Sequence, residues 1–143
     1  MSLKGGVGKG DAFERWCAKH IVKFLGGRCD RTIMSGALDW MKGDLFARMN
    51  ALEGWFIECK DRQSWAMPAW IEIAREQAKS HPWAIIFTRG YFKPCVALDF
   101  DDWLNVLAEK QELQKRVGEL DEENHYLLER VRDQEEGTAD VET

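Results

Sequence analysis

A chain of 143 residues, 45% of them hydrophobic, fits one domain with a real core. Four scattered cysteines, Cys17, Cys29, Cys59 and Cys95, form no CxxC pair, which argues against a structural zinc site and against a disulfide framework. The net charge of −5 belongs to the tail, because residues 1–103 hold 15 Lys and Arg against 13 Asp and Glu whereas residues 104–143 hold 5 against 12, so charge neither supports nor excludes a nucleic-acid partner.

Residues 1–10 read as a flexible basic arm. Within it, Lys4-Gly5-Gly6-Val7-Gly8-Lys9 matches the start of a phosphate-binding loop. Only three residues precede it, however, and Gly10-Asp11 follow the lysine where a Ser or Thr for magnesium would stand, so a nucleotide site is not expected. No basic segment leads into an apolar run at the N-terminus, and no apolar run nears the roughly 20 residues of a membrane span. The expectation is a cytoplasmic protein without a membrane partner, encoded by a cell, a virus or a phage.

Asp11 to Leu25 has apolar residues at three- and four-residue steps (Phe13, Trp16, Cys17, Ile21, Phe24) and stops at Gly26-Gly27, which predicts a helix. Arg28 to Met34 is a weak strand ending at Ser35-Gly36. Asp44–Met49 and Trp55–Cys59 predict two strands of a hairpin whose turn contains Asn50 and Gly54. A polar loop at 61–67 leads to Pro68, which suits the first turn of a helix reaching about Ser80. Trp83–Thr88 is a continuous apolar run of strand length, as in a buried central strand, and 92–98 predicts one further strand. The fold class is therefore α/β: a mixed central sheet with flanking helices over residues 11–100.

From 101 to 136 the pattern is that of a coiled-coil helix. With Trp103 at heptad position a, later a positions are Lys110, Val117, Asn124 and Val131, and d positions are Val106, Leu113, Leu120 and Leu127. Valine at a, leucine at d and one asparagine favour a parallel two-stranded coil, with Arg116 at g facing Asp121 at e of the partner. The alternative is one amphipathic helix folded back on the domain. Residues 137–143 are expected to be disordered.

Chemistry gathers around Glu58-Cys59-Lys60. Residues i and i+2 of a strand share a face, so Glu58 and Lys60 project together. If the hairpin forms, Asp44 at the start of one strand lies beside Glu58 near the end of the other. Two carboxylates there, with the Cys59 backbone carbonyl, could hold one hard cation such as magnesium. Glu14 on the first helix is a third carboxylate, either a metal ligand or a surface charge paired near Arg15. His20 and His81 have no partner histidine at metal spacing. Trp65 and Trp70 could stack on bases, although Ile71 and Ile73 make core packing the simpler role for Trp70.

The order K-G-x-x-x-E-R on the first helix, Ser35-Gly36, Asp44 and then Glu58-x-Lys60 resembles the archaeal-type Holliday-junction resolvases of the PD-(D/E)xK nuclease superfamily, over about residues 9–98. The resemblance implies a restriction-endonuclease-like fold and a homodimer that cuts branched DNA with magnesium or manganese. By the same resemblance, Glu14, Asp44 and Glu58 bind metal, Lys60 assists the attacking water, Ser35 lies near the catalytic centre, and Gln77 matches a polar position of the following helix. Gly43 stands where a proline often precedes the Asp, and Asp39, closer to Ser35, is a rival for the first carboxylate. Lys4, Lys9, Arg15 and Arg62 are candidate DNA contacts. Alternatives are a superfamily nuclease with another substrate (nicking, repair or restriction-type) and a non-catalytic dimeric adaptor. The acidic tail could also engage a protein partner.

Overall fold

A computed structural model describes residues 9–32, 43–90 and 92–139. Lys4, Ser35 and Asp39 lie outside these residues, as does the side chain of Lys9. The chain divides into two units, residues 1–100 and 101–143.

The first unit opens with α1 (Lys9–Leu25), which begins two residues earlier than the apolar pattern predicts and so takes Lys9 and Gly10 out of the expected arm. Its end is as expected. Gly26 adopts a positive φ of 69° and returns its N–H to the Val22 carbonyl at 2.8 Å, a left-handed cap that terminates the helix. Five strands follow: β1 (Arg28–Arg31), β2 (Leu45–Arg48), β3 (Phe56–Asp61), β4 (Trp83–Thr88) and β5 (Cys95–Leu98), with α2 (Met67–Ala78) between β3 and β4. The sheet order is β1-β2-β3-β4-β5. β1–β2, β2–β3 and β4–β5 are antiparallel, and β3–β4 is parallel, as its helical crossover requires. This is the mixed α/β sheet of a restriction-endonuclease-like fold.

Strand alternation assigns the two faces. Ile57 and Cys59 of β3 pack with Phe13, Cys17 and Ala18 of α1 and with Leu45 and Ala47 of β2. Phe56, one residue out of phase, packs on the other face with Ala74 and Ala78 of α2 and with Trp83 and Ile85 of β4. Leu45, Ile57 and Ile85 are the largest fully buried side chains, each worth about 1.5–3 kcal/mol of apolar transfer. The β2–β3 turn is fixed by Asn50, whose Oδ1 accepts from the Leu52 N–H at 3.0 Å while its Nδ2 donates to the Gly26 carbonyl at 3.0 Å.

β4 matches its predicted bounds. β1 and β5 are shorter than their apolar patterns, β5 starting at Cys95 rather than 92. β3 runs on through Lys60 to Asp61, because its parallel pairing with β4 continues to Asp61↔Thr88.

The second unit is α3 (Phe100–Ala139), a single 40-residue helix in which no residue is buried. It continues through Gly137, where disorder was expected, and the Thr138 hydroxyl donates to the carbonyls of Gln134 and Glu135.

Candidate active site

The site forms where β2 and β3 begin to separate. They share one register pair, Leu45↔Ile57, and immediately before it the Asp44 N–H donates to the Ile57 carbonyl at 2.7 Å. Beyond that pair a side chain replaces the backbone ladder, as Asp44 Oδ2 accepts from the Cys59 N–H at 2.8 Å. Asp44 is thereby fixed against β3, with its carboxylate beside that of Glu58. N–H and C=O of one residue point to the same side of an extended strand, so the Cys59 carbonyl also faces the Asp44 side.

Gly43 explains its own identity. Its φ is +95°, and a Cβ there would lie 2.8 Å from the Ile57 carbonyl oxygen. A proline, locked near −65°, cannot adopt this turn. The glycine lets the chain press against β3 as it delivers Asp44.

Glu58 is largely buried, with 18% of its side chain accessible. Burial, first, and the neighbouring Asp44 charge, second, push its carboxyl up to about 7, with Lys60 opposing the shift. A hydrogen bond with Asp44 stabilises the protonated form further. Lys60 Nζ stands 3.7 Å from Glu58 Oε2 and 5.8 Å from the centre of the Trp70 ring, so α2 supports the ammonium from below.

Glu14 is placed differently from expectation. It influences Glu58 electrostatically, yet its Oε2 accepts from Arg31 Nε at 2.8 Å, and Arg31 Nη2 also reaches Asp11 Oδ1 at 2.6 Å. Asp11 and Glu14 share a helix face at i, i+3, and the end of β1 inserts a guanidinium between them. Arg31, not the neighbouring Arg15, is the partner of Glu14. Among the described residues no group of three or more His, Cys, Asp or Glu side chains is arranged to hold a metal. Asp44 and Glu58, whose carboxyls meet, are hard oxygen donors of the kind suited to magnesium-type ions.

Gln77 is not brought to this site. Lys60 stands over Trp70 in the first turns of α2, whereas Gln77 is exposed in the last turn, about 10 Å farther along the helix axis. Arg62 is exposed just past β3, its Nη1 donating to the Asp61 carbonyl at 3.1 Å. Trp70 packs against the α2-side core, as expected. Trp65 sets its edge on Phe87 at 5.0 Å. Arg15 and His81 are exposed.

Residues 6–133 match the model of a family described as "phage putative PDDEXK endonuclease". The chain belongs to this family. It is thus a nuclease of the PD-(D/E)xK superfamily, and the match includes α3 as far as Asp133, which makes the long helix part of the family's shared sequence. Comparison with curated proteins and with solved structures gave no match. No described helix is long and apolar enough to cross a membrane.

Sequence reasoning missed Arg31, Asp11 and the role of Gly43. A carboxylate pair at i, i+3 on α1 was legible. That an arginine at the end of a short strand would meet it depended on β1 lying beside α1, which no local pattern encodes. Three of the four cysteines, far apart in sequence, come together: a hydrogen bond with the Cys17 thiol, and then burial, raise the Cys59 thiol far above its usual range, and Cys29 packs against the same cluster. They form an apolar floor behind the carboxylates.

Proposed function

We propose that this PDDEXK endonuclease is metal-dependent and structure-selective, resolving four-way DNA junctions by symmetric cleavage as a homodimer. The observation that carries the reading is the Asp44–Glu58 pair flanked by Lys60 at the opening of β2 from β3. A magnesium or manganese ion would be held by Asp44, Glu58 and the Cys59 carbonyl, and would supply a Lewis acid for the phosphodiester and a more acidic water. Asp44 is pre-oriented by the Cys59 N–H, and Glu58 would bind the ion as its carboxylate. Lys60, braced on Trp70, orients the attacking water and offsets charge on the phosphorane. Glu14 remains with Arg31 and Asp11, acting on the site through its charge, and Arg62 and Arg15 meet phosphates.

Junction selectivity is supported by the motif order over residues 9–98, which resembles the archaeal-type resolvases. It also needs two sites related by a dyad, and the apolar stripe of α3 offers the means to pair two chains.

The test is incubation of labelled four-way junction with magnesium, beside a linear duplex and the Glu58→Ala and Lys60→Ala variants. Paired symmetric cuts in the junction, lost in both variants while junction binding persists, are expected. Cutting of the linear duplex alone would replace this reading with a restriction-type activity. No cutting of any DNA by folded, metal-supplied protein would favour the adaptor.

A further inference from the structure

The outer face of α1 carries a feature that the catalytic centre does not use. Phe13, buried in the core, begins a column of rings in which Trp16 stacks at 6.2 Å, His20 on Trp16 at 4.4 Å, and Phe24 tilts onto His20 at 4.9 Å. The column emerges from the core and ends in the open, with Trp16 45% and Phe24 72% exposed. One residue before each exposed ring stands a cation: Arg15, Lys19 and Lys23. Residues 15–28 contain four Lys and Arg and no carboxylate, in a chain whose net charge is −5.

A row of rings beside a row of cations matches a ligand that alternates flat apolar surfaces with anionic groups. A second copy of this face would bring cation against cation. A nucleic-acid strand fits, and its state is constrained. The rings of the column already lie against one another, so a base can add only at its open parts, the Phe24 end and the exposed part of Trp16. In a duplex the base faces are hidden in the stack, so only a base that has left it can do so.

The wall of rings also leads toward the chemistry. Trp16 lines a recess of about 720 Å³ together with Phe92, Arg89, Gln63, Asp61 and Thr88. Asp61 and Thr88 close β3 and β4 side by side, and Asp61 directly follows Lys60. The recess is held in shape by the Gly90 N–H on Asp61 Oδ1 at 3.1 Å and the Thr88 hydroxyl on the Phe92 carbonyl at 2.7 Å. It offers an aromatic face with the guanidinium of Arg89 and the amide of Gln63, which suits a displaced base.

We propose that the exposed aromatic and basic rows of α1, with the recess beside Trp16, form a binding site for an unpaired segment of DNA next to the catalytic centre. This rests on the reading of the chain as a DNA nuclease and names the state of the substrate it holds: a strand opened at or near a branch point. Phe24, at the open end of the column, takes a base outside the recess, and the cation row follows the backbone.

The experiment measures binding of the full chain in EDTA to a labelled 12-nucleotide oligothymidylate and to a duplex hairpin, by fluorescence anisotropy over a salt series. The oligonucleotide is expected to bind more tightly than the hairpin. Trp16→Leu and Phe24→Ala should each weaken its binding about tenfold, as loss of one stacked base predicts, while Trp16→Phe retains it. Lys19→Gln with Lys23→Gln should flatten the salt dependence by roughly one to two ions. Glu58→Gln should bind the oligonucleotide like the parent, which separates this site from the catalytic reading. Equal binding by Trp16→Leu and the parent, or hairpin bound as tightly as oligonucleotide, would overturn the proposal. So would a change of sedimentation in Trp16→Leu without a change in DNA binding, because the face would then be a contact between chains.

Discussion

Glu58 holds its proton near neutrality because burial and the adjacent Asp44 charge disfavour the second anion, and this couples the site to stability. Its folded-state value of about 7 lies above the 4.5 of a free glutamate, so between those values the folded chain binds more protons than the unfolded one. The stability from this group is therefore full below pH 4.5 and is lost as pH rises through 7. The metal-free protein should melt several degrees lower at pH 8 than at pH 6, with Glu58→Gln flattening that slope by roughly 1–3 kcal/mol and stabilising the chain at pH 8. Thermal melts in EDTA across this range check it, and an unchanged slope in the variant would detach Glu58 from the effect. Gly43 sets a second constraint at the same point. Gly43→Ala forces a Cβ against the Ile57 carbonyl in a left-handed backbone, so it should cost about 1–3 kcal/mol and displace Asp44. Cleavage should fall more than tenfold even where circular dichroism remains native. Parent-like activity in Gly43→Ala would mean that Asp44 tolerates a different approach to β3.

Elements differ in how much of themselves they reveal. β4 was legible to the residue because a strand buried on both faces needs an unbroken apolar run, and Trp83–Thr88 is one. α2 was legible from Pro68 and its apolar spacing, and α1 from its aromatic steps and Gly26-Gly27. Edges were less so: β1 takes its limits from β2, pairing from Arg28↔Arg48 to Arg31↔Leu45, a tertiary fact. The pairing of Asp44 with Glu58 could be anticipated, because antiparallel strands joined by a short turn bring those ends together. The Arg31 clamp could not, since it requires the angle at which α1 crosses β1. The aromatic column was half visible. Phe13, Trp16 and Phe24 read as one core-facing stripe, yet only Phe13 is buried.

At the scale of the whole molecule, the proposed pairing of two chains through α3 would decide whether one catalytic centre acts or two. A helix of 40 residues with Val106, Leu113, Val117, Leu120, Leu127 and Val131 between 47% and 64% exposed leaves an apolar stripe at heptad spacing open to solvent. Such a stripe is stabilised by a second helix, and two chains joined in this way match the two-fold symmetry of a four-way junction. In the proposed coil, Asn124 at an a position would set the register at some cost in stability, making the pairing specific rather than maximally tight. Replacing Leu113 and Leu120 together by Glu places like charges at the centre of the seam without touching the nuclease unit. Sedimentation of this variant should report a monomer at concentrations where the parent is a dimer, and junction cutting should change from paired cuts to single nicks. A variant that remains dimeric and still makes paired cuts would move the interface off α3, leaving the acidic helix to bind a different protein.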